Sequence, residues 1–182
     1  MCIRDSCHGA HAMIEGLRNL VAAHDITAQN LAALSIRVNP RWLKVCDIKA
    51  PRTGLEVKFS YVFLAAMVLH HIDTAAYQSY DDSICGDAGL IATASKITVI
   101  GDEAISDGAV NVSADTQTGV RHTTDFDLMD PIDLSVLGPR LVAKASVLIG
   151  PAKAEKIWES MDDLDSMPAA QMARCLQPLQ NA

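Results

Sequence analysis

Three groups of residues have the types and spacing to do chemistry. The first, Cys7-His8-Gly9-Ala10-His11, places a thiol and two imidazoles within about one helical turn. Cys7 and His11 could share a metal ion, but zinc takes three or four protein ligands and no second Cys/His pair stands at matching spacing. Two other readings stay open. His8 could cap or line a helix start with His11 on its inner face, or the free N–H groups of that helix start could face an anion, with the histidines assisting.

The second group is basic. Arg37, Arg41, Lys44, Lys49, Arg52 and Lys58 lie close together in a chain that is acidic elsewhere, opposed only by Asp47 and Glu56. Such a run is either a solvated face or a patch for small carboxylates, to which arginine and lysine supply charge-assisted bonds. The third group, Lys58-Phe59-Ser60-Tyr61, stands at the mouth of the longest apolar stretch. Lysine and tyrosine there could act as electrostatic clamp and proton donor, or the tyrosine could be packed with its hydroxyl bonded to a neighbour. His70-His71, at the far end of that stretch, suits a helix C-terminus. Ser113, His122 and Thr123 have no triad spacing, and no P-loop, GxGxxG or GxSxG occurs.

These groups need elements to hold them. Gly54–Asp73 is apolar almost all round from Val57 to Leu69, the mark of a central helix covered on every side. It falls short of the ~20 apolar residues of a membrane span. Before it, the periodicity of Met13, Ile14, Leu17, Leu20 and Val21 predicts an amphipathic helix over 6–24 with Ser6 as its cap. Thr27 could cap a short turn, Leu34–Val38 reads as a strand ended by Asn39-Pro40, and 41–53 reads as an irregular connection. After it come a short helix and loop over 74–86, a helix at 87–94, a strand at 96–100 and a hairpin of 109–114 with 120–126. Beyond Asp130-Pro131 the pattern is helical: 133–149, 151–161 and 168–179, with Asp133 as a cap and Pro151 and Pro168 in first-turn positions. The fold class is therefore α+β, a central buried helix against a small sheet followed by C-terminal helices.

At 182 residues the chain suits one domain plus an appendage, and a net charge of −7 argues against nucleic acid or anionic membrane as a general partner. Five scattered cysteines (Cys2, Cys7, Cys46, Cys85, Cys175), with no CxxC pair, fit a reducing cytoplasm. No signal peptide or anchor is visible. Residues 1–6 (MCIRDS) carry no element pattern and read as a non-native leader on a piece of a longer protein.

Taken together, Cys7-x-x-x-His11-Ala12-Met13-Ile14-Glu15 and Thr53-Gly54-Leu55-Glu56-Val57-Lys58-Phe59-Ser60 resemble the C-terminal half of the MmgE/PrpD family, which includes 2-methylcitrate dehydratase and cis-aconitate decarboxylase. The Ser95–Val99 segment and the terminal helices fit as well. The resemblance implies a two-part enzyme in which a helical domain carries most acid/base groups and an α+β lid closes over the site. Residues 7–128 would be the lid and 131–182 helices returning to a helical domain that this chain lacks, so that the isolated chain would be inactive. It further implies a homodimeric full-length protein, a small di- or tricarboxylate substrate, and neither metal nor organic cofactor.

Two positions depart from the family pattern. The catalytic tyrosine expected three residues after the Lys-Phe-Ser serine is Phe63 here, and Tyr61 lies roughly 200° around the helix from it. Where the decarboxylase branch has a histidine, this chain has Cys7. Both weigh against cis-aconitate decarboxylation. The candidate set is thus Tyr61 and His8 for acid/base work, with Cys7, His11, Lys58, Ser60, Arg52 and Phe63 for substrate contact. The reaction would be that of a lyase. The competing readings are a non-catalytic α+β binding module and an epimerase acting on an imino-diacid.

Overall fold

The computed structural model describes residues 6–176; residues 1–5 of the predicted leader and the last residues of the final predicted helix lie outside them. The chain divides into two compact units, Met1–Pro131 and Ile132–Ala182.

The first unit is a four-stranded sheet covered on one face by helices. The strands β1 (Leu31–Val38), β2 (Ile97–Gly101), β3 (Ala109–Thr116) and β4 (Arg121–Asp127) stand in the order β2-β1-β3-β4. β1 runs parallel to β2 and antiparallel to β3, and β3 and β4 form the predicted hairpin. Period-two alternation sorts the faces. Leu34, Ile36, Val38, Val110, Val112 and Ala114 point into the core and are buried. On the other face Thr98, Ser35, Ser113 and Thr123 stand in one row across all four strands, the last two hydroxyls 3.1 Å apart. β1 begins three residues earlier than the alternation predicts, because a register irregularity between Leu31 and Ala33 interrupts the period. The Lys96 ammonium spans this end of the strand, donating to the carbonyls of Ala28 and Leu31.

The covering layer is α1 (His11–His24), which lies on β3 and β4, and α4 (Tyr61–Leu69), which lies beside α1 and β2. All nine residues of α4 are buried. Each large apolar side chain so removed from water contributes roughly 1.5–3 kcal/mol. The sequence predicts one central helix within Gly54–Asp73 with Lys58–Tyr61 at its mouth; the structure starts that helix at Tyr61 and adds a separate turn before it. A single turn, α3 (Gly54–Val57), is capped by Thr53, whose hydroxyl accepts from Glu56 N, while the Glu56 carboxylate reaches back to Arg52 N. The chain then extends at Ser60 (φ −123°, ψ 103°), which bridges to Asp47, and α4 starts afresh.

At the other end of α4, His71 takes a left-handed φ of 57°. Ile72 N bonds back to Met67 O and His71 N to Val68 O, the paired bonds of a Schellman ending. The histidines therefore end the helix through their backbone, and the His70 ring bonds instead to Thr93.

Two further differences concern short elements. Ser6 Oγ caps nothing: a 3-10 turn, His8–Ala10, precedes α1, whose N-terminus has no side-chain cap. The connection after β1 is ordered, with Asn39 capping a 3-10 turn at Pro40–Trp42 that runs into α2 (Leu43–Cys46). Two 3-10 turns, Tyr77–Tyr80 and Asp82–Gly86, and α5 (Ala88–Ala94) lead to β2.

The second unit consists of α6 (Leu134–Ile149), capped by Asp133, α7 (Pro151–Glu159) and α8 (Ala169–Leu176). Its buried residues, among those described, are Gly138 and Ala154. Leu134, Val136, Val147, Leu148 and Trp158 are exposed. No helix among the described residues is long and apolar enough to cross a membrane.

Candidate functional site

The residues singled out from the sequence divide by depth. Ser60, Tyr61 and Phe63 are core residues and His11 is buried. Cys7 and Lys58 are half-buried, and His8 and Arg52 are exposed. What joins them is the α3–α4 break. Because the helix stops at Lys58, the Lys58 carbonyl is released from helical bonding and accepts from Cys7 N at 3.0 Å. Ser60 fixes the other side of the break. Its hydroxyl donates to Ile48 O at 2.5 Å and accepts from Phe63 N, and Ile48 N bonds to Phe59 O. Three segments distant in sequence, 6–10, 46–48 and 58–61, are thus laced together through backbone groups.

Tyr61 completes the lacing. Its hydroxyl donates to Gly9 O at 2.8 Å, binding the start of α4 to the His8 turn. Burial, then the neighbouring Cys46, Cys7 and Asp47, pushes this phenol above the ordinary tyrosine range. Cys46 is likewise pushed above the ordinary thiol range, first by burial and then by the Cys7 thiol beside it. Both groups are held in their neutral forms.

On the outer side of the turn, the His8 ring lies edge-on to His11, with centroids 5.2 Å apart, and to Trp42, at 6.4 Å. His11 Nε2 lies 3.1 Å from Ser6 O. Lys58 Nζ sits 4.9 Å from the ring centroid of Tyr80, whose own hydroxyl donates to Thr74 O. A cation over a tyrosine face is attracted by the ring quadrupole. The Tyr80 backbone also seats α3: a Cβ on Gly54 would fall 1.7 Å from Tyr80 O, so only glycine fits there.

The basic run does not form one patch. Arg37, on β1, pairs with Asp102 at 2.7 Å; Arg41 pairs with Asp107, and Lys49 with Asp47. These exposed pairs are each worth roughly 0–1 kcal/mol, which makes much of the run a solvated face. Arg52 stands at the start of α3, its backbone N bonded to Glu56. Among the described residues no three or more of His, Cys, Asp and Glu are grouped to hold a metal ion.

Trp42, Tyr80 and Cys46 touch this cluster without having been singled out. Trp42 lay in a stretch read as irregular, and the Asn39-Pro40 start of a capped turn was the one signal that could have placed it. Tyr80 and Cys46 reach the site by tertiary packing, which leaves no spacing signal.

No curated protein gives a significant match to the chain. Residues 6–129, well over half of the sequence, match the MmgE/PrpD C-terminal domain. With the Cys7 and Lys58 segments of that resemblance laced into one α+β body, the chain belongs to the MmgE/PrpD family and carries its C-terminal domain.

Proposed function

We propose that the first unit is the lid of an MmgE/PrpD-type lyase and presents Cys7, His8 and Lys58 to a small di- or tricarboxylate such as a 2-methylcitrate-like substrate. The observation that carries this reading is the bond from Cys7 N to Lys58 O, which holds the histidine turn against the lysine segment. Eliminating water or CO₂ next to a carboxylate requires neutralised negative charge together with an acid and a base. In this reading Lys58 supplies the charge, aided by Arg52, and His8 supplies an exchangeable proton at the substrate. Tyr61 acts from beneath: its proton is committed to Gly9, so it holds the turn and does not reach substrate. His11, Ser60 and Phe63 form the floor that keeps the break rigid. The full-length protein is proposed to be a cytoplasmic homodimer.

Citrate, titrated into the isotope-labelled chain, is the probe. The expected result is saturable shifts confined to Cys7, His8 and Lys58 and their neighbours, lost in Lys58→Ala. Shifts spread along every basic residue, or retained in that variant, would refute the clamp. The alternative of a non-catalytic binding module draws on the burial of Phe63 and the engaged Tyr61 hydroxyl. It predicts the same binding but no loss of turnover when Lys58→Ala is placed in the full-length protein.

A further inference from the structure

We infer that Trp42 is a positioning residue for His8, and that through it the β2–β3 loop sets where the histidine stands. This rests on the reading of His8 as a substrate-facing group. The His8–Ala10 turn is held on two sides. On one, Tyr61 OH bonds Gly9 O and Lys58 O accepts from Cys7 N. On the other is the Trp42 indole: a Cβ built on Gly9 would lie 2.3 Å from its Cε3, so the backbone of the turn rests directly on the ring. The His8 side chain, otherwise exposed, meets the same indole edge-on at 6.4 Å.

The indole is itself anchored. Its Nε1 donates to Asp107 O at 2.8 Å, and the Arg41 guanidinium lies 5.0 Å from its centroid while pairing with the Asp107 carboxylate. The loop carrying Asp107 is pinned at several further points. Arg37 bonds Asp102 through Nε and Nη2, Asn39 Nδ2 donates to Ile105 O at 2.9 Å, and Ser106 Oγ donates to Asp127. A solvent-exposed imidazole gains no fixed orientation from its own short turn. Set edge-on to an indole hung from a pinned loop, and edge-on to the His11 ring 5.2 Å away, it acquires one before any ligand arrives, and the ordering cost of binding falls.

The test compares Trp42→Ala and Trp42→Phe in the whole chain, reading the His8 ring resonances, assigned with His8→Gln, together with citrate affinity. In Trp42→Ala the His8 ring is expected to become motionally averaged while α1 and sheet resonances hold, and citrate is expected to bind about two- to tenfold more weakly. Trp42→Phe, which keeps an aromatic platform, is expected to restore both. An unchanged His8 in Trp42→Ala, or a phenylalanine that restores nothing, overturns the inference. If the alanine variant does not fold, Gly9→Ala serves, since its methyl must push the turn off the indole; an undisturbed His8 there also overturns it. If wild type takes up no citrate while Trp42→Ala still frees His8, the positioning stands and the substrate reading falls.

Discussion

At the scale of single residues, the chemistry beneath the His8 turn is governed by what is kept neutral. Tyr61 and Cys46 are both raised above their ordinary values of 10.0 and 9.0, with burial the leading cause in each. In the unfolded chain each loses its proton at the ordinary value, whereas the folded chain retains it. Above that value the unfolded state therefore binds fewer protons, and stability must fall as pH rises. The contribution is complete below pH 9 and is lost progressively through the alkaline range toward the raised folded-state values. Tyr61→Phe removes one of the two groups together with the bond to Gly9 O. It is expected to cost about 1–3 kcal/mol at neutral pH, since a part-buried carbonyl loses its donor, and to flatten the alkaline decline in Tm. An equally steep decline in the variant would show that Tyr61 is not the group responsible. Residue type and position allow this tyrosine to be a proton donor or a packed residue with a bonded hydroxyl. Spacing could not reveal that its partner would be Gly9, because that bond closes across 52 residues.

At the scale of elements, the decisive feature is the interruption at Lys58–Ser60. Apolar content makes a buried helix legible from Val57 onward, and the structure buries all of α4. The same content hides the break, because one extended residue, Ser60, between a tight turn and a helix barely alters a hydrophobic pattern. The signals that mark it are caps: Thr53 with Glu56 three residues on, and Ser60 with its hydroxyl on Phe63 N. Ser60→Ala therefore tests the join directly. The loss of a cap is expected to cost about 0.5–2 kcal/mol, and the bond to Ile48 O is lost with it. Amide exchange should quicken at Ile48 and Phe63 ahead of the sheet. Leu64→Ala, in the middle of α4 and fully buried, should cost about 2–5 kcal/mol without that local signature. If both variants unfold the unit uniformly, the break is no separate joint. The early start of β1 and the ordered turn at Pro40–Trp42 were hidden for a similar reason, one by a register irregularity and the other by a short cap that suspends periodicity.

At the scale of the whole chain, the two units differ in how they are held together. The first has one continuous core shared by the sheet, α1 and α4. The second buries only Gly138 and Ala154 among its described residues, with Gly138 packed under Trp158. The change from strand to helix pattern at Asp130-Pro131 is visible in the sequence. The thinness of the helical unit is only partly so, since Leu148 and Ile149 are exposed while Leu141, Val142 and Ile157 are half-buried. Met129 to Leu134 is exposed throughout. Limited proteolysis is expected to cut there first and leave a resistant fragment that keeps its strand signature, since cleavage follows local opening. Removal of the helices should also lessen self-association in size-exclusion, because the larger exposed apolar side chains of α6 and α7 go with them. Initial cuts within α4 or β3 would contradict this division.

The row of hydroxyls at Thr98, Ser35, Ser113 and Thr123 has a practical outcome. This side of the sheet is small and wettable, and its cross-strand bonds, such as Ser113 to Thr123, are exposed ones worth little each, so it can be rewritten at modest thermodynamic risk. A spectroscopic label or surface tether placed at Thr123 would report on the molecule from the side opposite α1, leaving the histidine turn undisturbed.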